Sequence, residues 1–292
     1  VSSPSTDGGG PSGASNPGQT GATAIAQTAA PGRPPLPPSF LKRPLAHRGL
    51  HDAAAGRIEN SMSAFESAVA AGYGVELDVQ LSADGVAMVF HDATLDRLTD
   101  ARGPVRARAA ESLAAISLAG TEDRIPTLAA VLARIGGRVP CLVELKDQSG
   151  DLGPSDGELE AAVARDLAAH GGRVAVMSFS PGMVGRLAAL APAVPRGPTT
   201  DAFAPEAWPR VPEARLAELR RIDVDAVGAA FVSHDRRDLD APRIAELRAR
   251  GLPILAWTVR SPAEAAAARP LASAITFEGY RPAPGTGSPW DA

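Results

Sequence analysis

The chain has 292 residues, 45% of them hydrophobic and only 4% aromatic, enough to bury a sizeable core as one large α/β domain. A formal net charge of -4 without a long basic run points away from nucleic acid and from an anionic membrane surface. The single cysteine, Cys141, excludes an internal disulfide and a thiolate zinc cluster, and its setting in "VPCLVELK" reads as that of a small buried hydrophobe.

Residues 1–38 are dominated by Pro, Gly, Ser, Thr and Ala. Such a composition cannot offset chain entropy by burial, so a disordered leader is expected there. It lacks the basic n-region and apolar h-region of a secretory signal. No apolar run approaches the ~20 residues of a membrane span. A cytoplasmic protein without stable membrane insertion is therefore expected.

From 39 to 281 short β-like runs alternate with helix-like runs. "PLAHR" leads into Ser61 to Ala71, where Phe65, Ala68 and Val69 fall at helical spacing, and "GVELDVQL" follows. Then come "VAMVF", "TLAAVLARI", "CLVELK", a helix over Leu159 to Leu167, "VAVMSF" and a helix over Met183 to Leu190. The weaker strand "VPRGPTT" precedes a helix around Leu216 and Leu219, then "VDAVGAAF", a helix at Ile244 to Leu247, "PILAWTV", an Ala-rich helix and "SAITFEG". With "VAMVF" as a short insertion after the second strand, eight strands remain, and the pattern predicts a TIM (β/α)₈ barrel. The last helix is expected to be short or missing, because "GYRPAPGTGSPWDA" is too rich in Pro and Gly; residues near Phe40 and Leu41 would cover that side or the barrel bottom instead. Residues 282–292 read as a flexible tail. A doubly wound open sheet has the same alternation, but no Gly-rich nucleotide loop follows the first strand.

Side chains alternate along a strand, so Glu76, Asp78 and Gln80 share the inward face of "VELDVQL" while Val75, Leu77, Val79 and Leu81 face the helices. "LVELK" repeats the device with Glu144 and Lys146. Unpaired buried carboxylates are costly, and three of them without a thiolate suit a hard divalent cation, Mg²⁺ or Ca²⁺, rather than zinc. Active sites of this barrel lie at the C-terminal strand ends. His47 ends the first strand, Glu76 and Asp78 the second, and Glu144 and Lys146 the third.

"AHRG" followed by "EN", then "VELDVQLSADGVAMVFHD" with "TLDRLT", then "IPTL", "VELK" and a late "WTV" occur in order. Together they resemble the glycerophosphodiester phosphodiesterase family over roughly residues 44–280. The resemblance implies a divalent cation, with Mn²⁺ as a further candidate, and hydrolysis of a small-molecule glycerophosphodiester to an alcohol and sn-glycerol 3-phosphate. Carried over residue by residue, it makes His47 and His91 the acid/base pair, Glu76, Asp78 and Glu144 the metal ligands, and Arg48 and Lys146 the phosphate-stabilising cations. Glu59, Asn60 and Trp257 become substrate-binding residues. Two departures stand out: "IENS" lacks the family's frequent proline before Glu-Asn, and "ITFEGYRP" replaces its usual Thr-Asp-x-Pro ending. Lysophospholipase D-like cleavage of acylated substrates uses the same residues, whereas a non-catalytic phosphodiester-binding barrel predicts gaps in this set. Nothing in the sequence fixes an oligomeric state.

Overall fold

The computed structural model describes residues 33–170 and 172–283, so most of the expected leader and tail lies outside the described residues. Eight parallel strands close into a barrel in the order β1 (Leu45–Ala46), β2 (Gly74–Leu81), β4 (Cys141–Leu145), β5 (Val174–Ser178), β6 (Arg196–Thr200), β7 (Val232–Asp235), β8 (Ile254–Val259) and β9 (Ala274–Phe277). β1 pairs with both β2 and β9. β3 (Ala87–Val89) runs antiparallel to β2 outside the barrel. The outer layer comprises α1 (Met62–Ala70), α3 (Leu128–Ile135), α4 (Glu158–Ala168), α5 (Pro181–Leu190), α6 (Glu213–Leu219), α7 (Pro242–Ala249) and α8 (Pro262–Ala268). A short helix α2 (Ala110–Ala114) lies in the insertion, and among the described residues no helix follows β9. None of the described helices is long and apolar enough to cross a membrane.

Local chemistry sets the helix ends. Ser61, Thr127 and Ser261 accept the amides of Ala64, Ala130 and Glu264 at the starts of α1, α3 and α8, each cap contributing about 1 kcal/mol. Gly136 closes α3 in the left-handed conformation. The outward faces of the strands, Val75, Leu77, Val79, Val143 and Leu145 among them, pack with Leu132, Leu159 and Val163 of the helices into one buried cluster. Each fully buried aliphatic side chain there contributes roughly 1.5–3 kcal/mol.

Inside the barrel, the lower layer is apolar: Leu142, Ala175, Phe231 and Leu255 meet Leu36 and Phe40 of the segment preceding β1. This is the bottom cover expected of Phe40. The packed chain reaches back to Leu36, inside the segment read as leader, because that apolar ring takes in two large side chains. The insertion carries a satellite core of its own, in which Ile58, Phe90, Leu95, Leu113 and Ile125 pack together.

One strand differs from the expected pattern. The sixth barrel strand is Val232–Asp235, not "VDAVGAAF". In that stretch Asp223 accepts the amides of Asp225 and Ala226, and Gly228 is left-handed (φ 62°). The chain therefore turns at Gly228, meets β6 through the Ala230 amide and the Arg196 carbonyl at 2.7 Å, and is strand from Val232 onward. The polar "SHD" that follows is strand.

Candidate active site

The first strand stops after Ala46 because Arg48 and Gly49 both take positive φ, 56° and 80°. Gly49 is required here: a Cβ would lie 2.9 Å from the backbone of Ala64 in α1. The turned backbone is held by Glu76, whose Oε2 accepts the Arg48 amide at 2.9 Å, and by the Asn60 amide, which donates to the Arg48 carbonyl at 2.9 Å. His47 is thereby fixed over the barrel mouth, its Nε2 4.0 Å from Glu76 Oε2 and its Nδ1 2.5 Å from Glu278 Oε2. Burial lowers the pKa of His47, and the hydrogen bond to Glu278 opposes that shift.

Asp78 and Glu144 are register partners on β2 and β4, and with Glu76 they bring carboxylate oxygens within 4.8 Å of one another. All three are buried. Lys146 Nζ lies 2.9 Å from Asp78 Oδ1 and 2.6 Å from Glu144 Oε1. Asn60 donates through Nδ2 to Asp78 Oδ2 at 2.8 Å, and Arg48 Nε lies 3.4 Å from the same oxygen. Against the cost of burial, Lys146, His91 and Arg48 hold the Asp78 carboxyl well below its usual range. Against the same cost, Asp78 and Glu144 hold the Lys146 ammonium charged. Glu76 carries the excess: burial, then Asp78 and Glu144, push its carboxyl well above the normal value. Three converging buried carboxylates outnumber the one ammonium, and their all-oxygen donor set fits a hard divalent cation.

His91 follows β3 and reaches the mouth through the β2–β3 hairpin. Its carbonyl accepts Gln80 Nε2 at 2.9 Å, and Gln148 Nε2 donates to Gln80 Oε1 at 2.9 Å. His91 Nδ1 lies 2.7 Å from Asp92 Oδ1. Arg97 bridges Asp92 to Glu59, donating to Asp92 Oδ2 at 2.6 Å and to both Glu59 oxygens at 2.8 Å. Glu59 in turn accepts Arg48 at 2.7 Å. Against burial, Arg97 and Arg48 depress the Glu59 carboxyl to about 2.

A cavity of about 540 Å³ opens beside these groups, lined by Gln80, His91, Glu144 and Lys146 on one side and by Phe179 and Trp208 on the other. Phe179 makes edge contacts with Trp208 and Trp257, ring centroids 4.9 and 5.6 Å apart. The Trp257 indole nitrogen is buried without a protein partner.

The structure thus gathers His47, Arg48, Glu59, Asn60, Glu76, Asp78, His91, Glu144, Lys146 and Trp257 at the C-terminal end of the barrel. Glu76 lies deeper than a strand end, at the third position of β2, because pairing with β3 prolongs that strand to Leu81. Sequence reading missed Glu278, Asp92, Arg97 and Trp208. Asp92 and Arg97 stand inside the quoted "FHD" and "TLDRLT" stretches, Glu278 is the acidic residue one position past the last strand, and Trp208 left no signal. His51 also approaches the site, its Nε2 3.8 Å from Glu278 Oε2. His234 bonds Thr200 on the outer face of β7, and His170 follows α4.

A buried anionic cluster flanked by Arg48, Lys146 and two imidazoles, bordering a cavity through Glu144, Lys146 and His91, can bind a phosphate ester and move protons on either side of it. The family model described as the glycerophosphoryl diester phosphodiesterase family matches residues 47–274. The chain is 30% identical over 231 residues to YhdW of Bacillus subtilis (strain 168), covering 76% of this chain and 88% of that protein. Among solved structures it is similar to a phosphodiesterase of Oleispira antarctica in complex with the product sn-glycerol-3-phosphate, with TM-score 0.66 and 26% identity over 82% of this chain and 94% of that one. It is also similar to a glycerophosphodiester phosphodiesterase of Agrobacterium tumefaciens, with TM-score 0.59 and 27% identity over 80% of this chain and 94% of that one.

Proposed function

The chain belongs to the glycerophosphoryl diester phosphodiesterase family, and from that premise we propose that it hydrolyses small glycerophosphodiesters to sn-glycerol 3-phosphate and an alcohol, using a divalent cation and two histidines. One observation carries the reading: Glu76, Asp78, Glu144 and Lys146 converge between His47 and His91 at the mouth of a barrel whose bottom is closed. Glu76, Asp78 and Glu144 would hold a divalent cation, which would supply Lewis-acid stabilisation of the charge that builds on the phosphoryl oxygens. Lys146, facing the cavity, adds a positive charge at the same place. Arg48, clamped by Glu59 and Asp78, completes the electropositive side. One imidazole takes the proton of the glycerol 2-hydroxyl as its oxygen bonds phosphorus, the other gives a proton to the alcohol oxygen as the P–O bond to it breaks, and the two roles reverse when water opens the resulting cyclic phosphate to sn-glycerol 3-phosphate. Asn60 fixes Asp78 through two hydrogen bonds, from its amide nitrogen and to its carbonyl oxygen.

The aromatic side of the cavity favours a second reading of the leaving group. Phe179, Trp208 and Trp257 offer an apolar wall on which an acylated alcohol can lie, which is lysophospholipase D-like chemistry by the same residues. The test is a head-to-head assay of glycerophosphocholine, glycerophosphoethanolamine, glycerophosphoinositol and a lysophospholipid with Mg²⁺, Mn²⁺ or Ca²⁺. Hydrolysis of at least one small diester, lost in excess chelator and restored by one of these ions, is expected. Full activity in chelator overturns the metal reading, and a preference for the lysophospholipid selects the second.

A further inference from the structure

The two histidines share a feature that the metal cluster does not require. His47 Nδ1 lies 2.5 Å from Glu278 Oε2, and Arg260 reaches Glu278 Oε1 at 2.7 Å through both Nε and a terminal nitrogen. His91 Nδ1 lies 2.7 Å from Asp92 Oδ1, and Arg97 Nε donates to Asp92 Oδ2 at 2.6 Å. The same imidazole–carboxylate–guanidinium order thus recurs on both sides of the mouth. It is built once from adjacent residues after β3, and once from β1, β8 and β9 across the closure of the barrel.

We propose that Glu278 and Asp92 are positioning residues that fix the two imidazoles with Nδ1 engaged and Nε2 presented to the substrate, and that Arg260 and Arg97 keep those carboxylates aimed. The inference rests on the acid/base reading of His47 and His91 above.

The chemistry follows from the donor inventory of the ring. A neutral imidazole has one N–H and one lone pair, and a carboxylate, which only accepts, selects the tautomer with the proton on Nδ1. The lone pair is then on Nε2, the nitrogen that must receive a proton from an attacking hydroxyl. The same bond removes ring flips that would point Nε2 away. Each carboxylate spends its second oxygen on an arginine, so it cannot swing to a competing donor. A purely stabilising role is the weaker explanation, because Arg97 and Arg260 are 46% and 54% exposed, and ion pairs that open to water contribute ~1 kcal/mol or less. The two devices also differ in reach. Arg97 continues to Glu59 and so to Arg48, tying His91 to the cation beside Asp78, whereas Glu278 has His51 as an additional neighbour.

The experiment is a set of crossed double variants assayed on the small diester that the wild-type enzyme cleaves, with metal present. Glu278→Ala and Asp92→Ala should each lower kcat roughly 10- to 100-fold, part of the ~10²–10⁴ that a positioned acid or base supplies, with KM changed less than twofold. In the His47→Ala background Glu278→Ala should cost nothing further, while in the His91→Ala background it should cost its full factor; Asp92→Ala should behave in the opposite way. Glu278→Gln and Asp92→Asn keep the volume and guard against misfolding, which the thermal midpoint of every variant monitors. They should recover part of kcat, since an amide oxygen still accepts from Nδ1. Wild-type kcat in Glu278→Ala and Asp92→Ala, or losses that multiply with removal of the same-side histidine, overturn the positioning. If His47→Ala and His91→Ala are impaired in that outcome, the acid/base reading stands. Wild-type kcat in both histidine variants overturns the two together.

Discussion

Glu59 binds the active-site network into the stability of the protein. Its carboxyl sits at about 2 against an ordinary value of 4.5, since Arg97 and Arg48 outweigh its burial. A folded-state pKa below the unfolded one means stability that is complete above the unfolded value and lost as pH falls through the folded one. The window is therefore about 4.5 to about 2. Glu59→Gln should cost about 1–3 kcal/mol at pH 7, a range discounted for the half-exposed Arg97. Wild type and variant should converge as the pH approaches 2. Chemical denaturation at a series of pH values checks this; a difference that stays constant from pH 7 to pH 2 would mean that the Glu59 charge is not the source. The residues most legible in the sequence were those governed by strand alternation. Glu76, Asp78, Glu144 and Lys146 are two apart on their strands, and a period of two places each pair inside without any knowledge of the fold. Glu278 meets His47 across 231 residues of chain, a contact made only when the barrel closes. Arg97 reaches Asp92 locally but meets Glu59 only when the insertion folds.

At the level of elements, the misread sixth strand is instructive. "VDAVGAAF" alternates acceptably on paper, yet a side-chain acceptor at Asp223 and a left-handed Gly228 offer its backbone a turn that competes with pairing. "SHD" carries no apolar rhythm to mark it as strand: Ser233 faces the barrel interior and His234 the helices, where Thr200 receives it. The short segment before β1 shows how little sequence a structural element needs. Leu36 and Phe40 close the bottom of the barrel, and Phe40 is fully buried. Phe40→Ala should cost ~3–5 kcal/mol, the range for a truncated core aromatic, and should lower the thermal midpoint while leaving kcat near wild type, since the chemistry lies at the opposite end. A variant whose midpoint is unchanged would show that the segment contributes no packing.

For the molecule as a whole, a closed parallel barrel, a closed floor and a polar mouth follow from a few repeated rules; the eight-strand count was readable from hydrophobic rhythm, and the short or missing last helix, which is absent among the described residues, from the Pro and Gly that follow β9. What rhythm did not convey is how unequal the strands are. β2 spans eight residues and β1 only two, yet β1 bonds both its neighbours and so joins the first strand to the last. The junction depends on few backbone bonds, among them the His47 amide to the Phe277 carbonyl at 2.9 Å and the Gly49 amide to the Glu76 carbonyl at 3.2 Å. Local opening costs least where the fewest bonds must break, so the amides of His47 and Gly49 should exchange with deuterated solvent ahead of those in β2 and β4. Protection there equal to that of Leu77 or Val143 would refute this ranking. If that seam opens first, the imidazole it carries is displaced with it, so heating should silence the enzyme before its helices melt, and the gap between the two temperatures is a direct gauge of how loosely the ring is fastened.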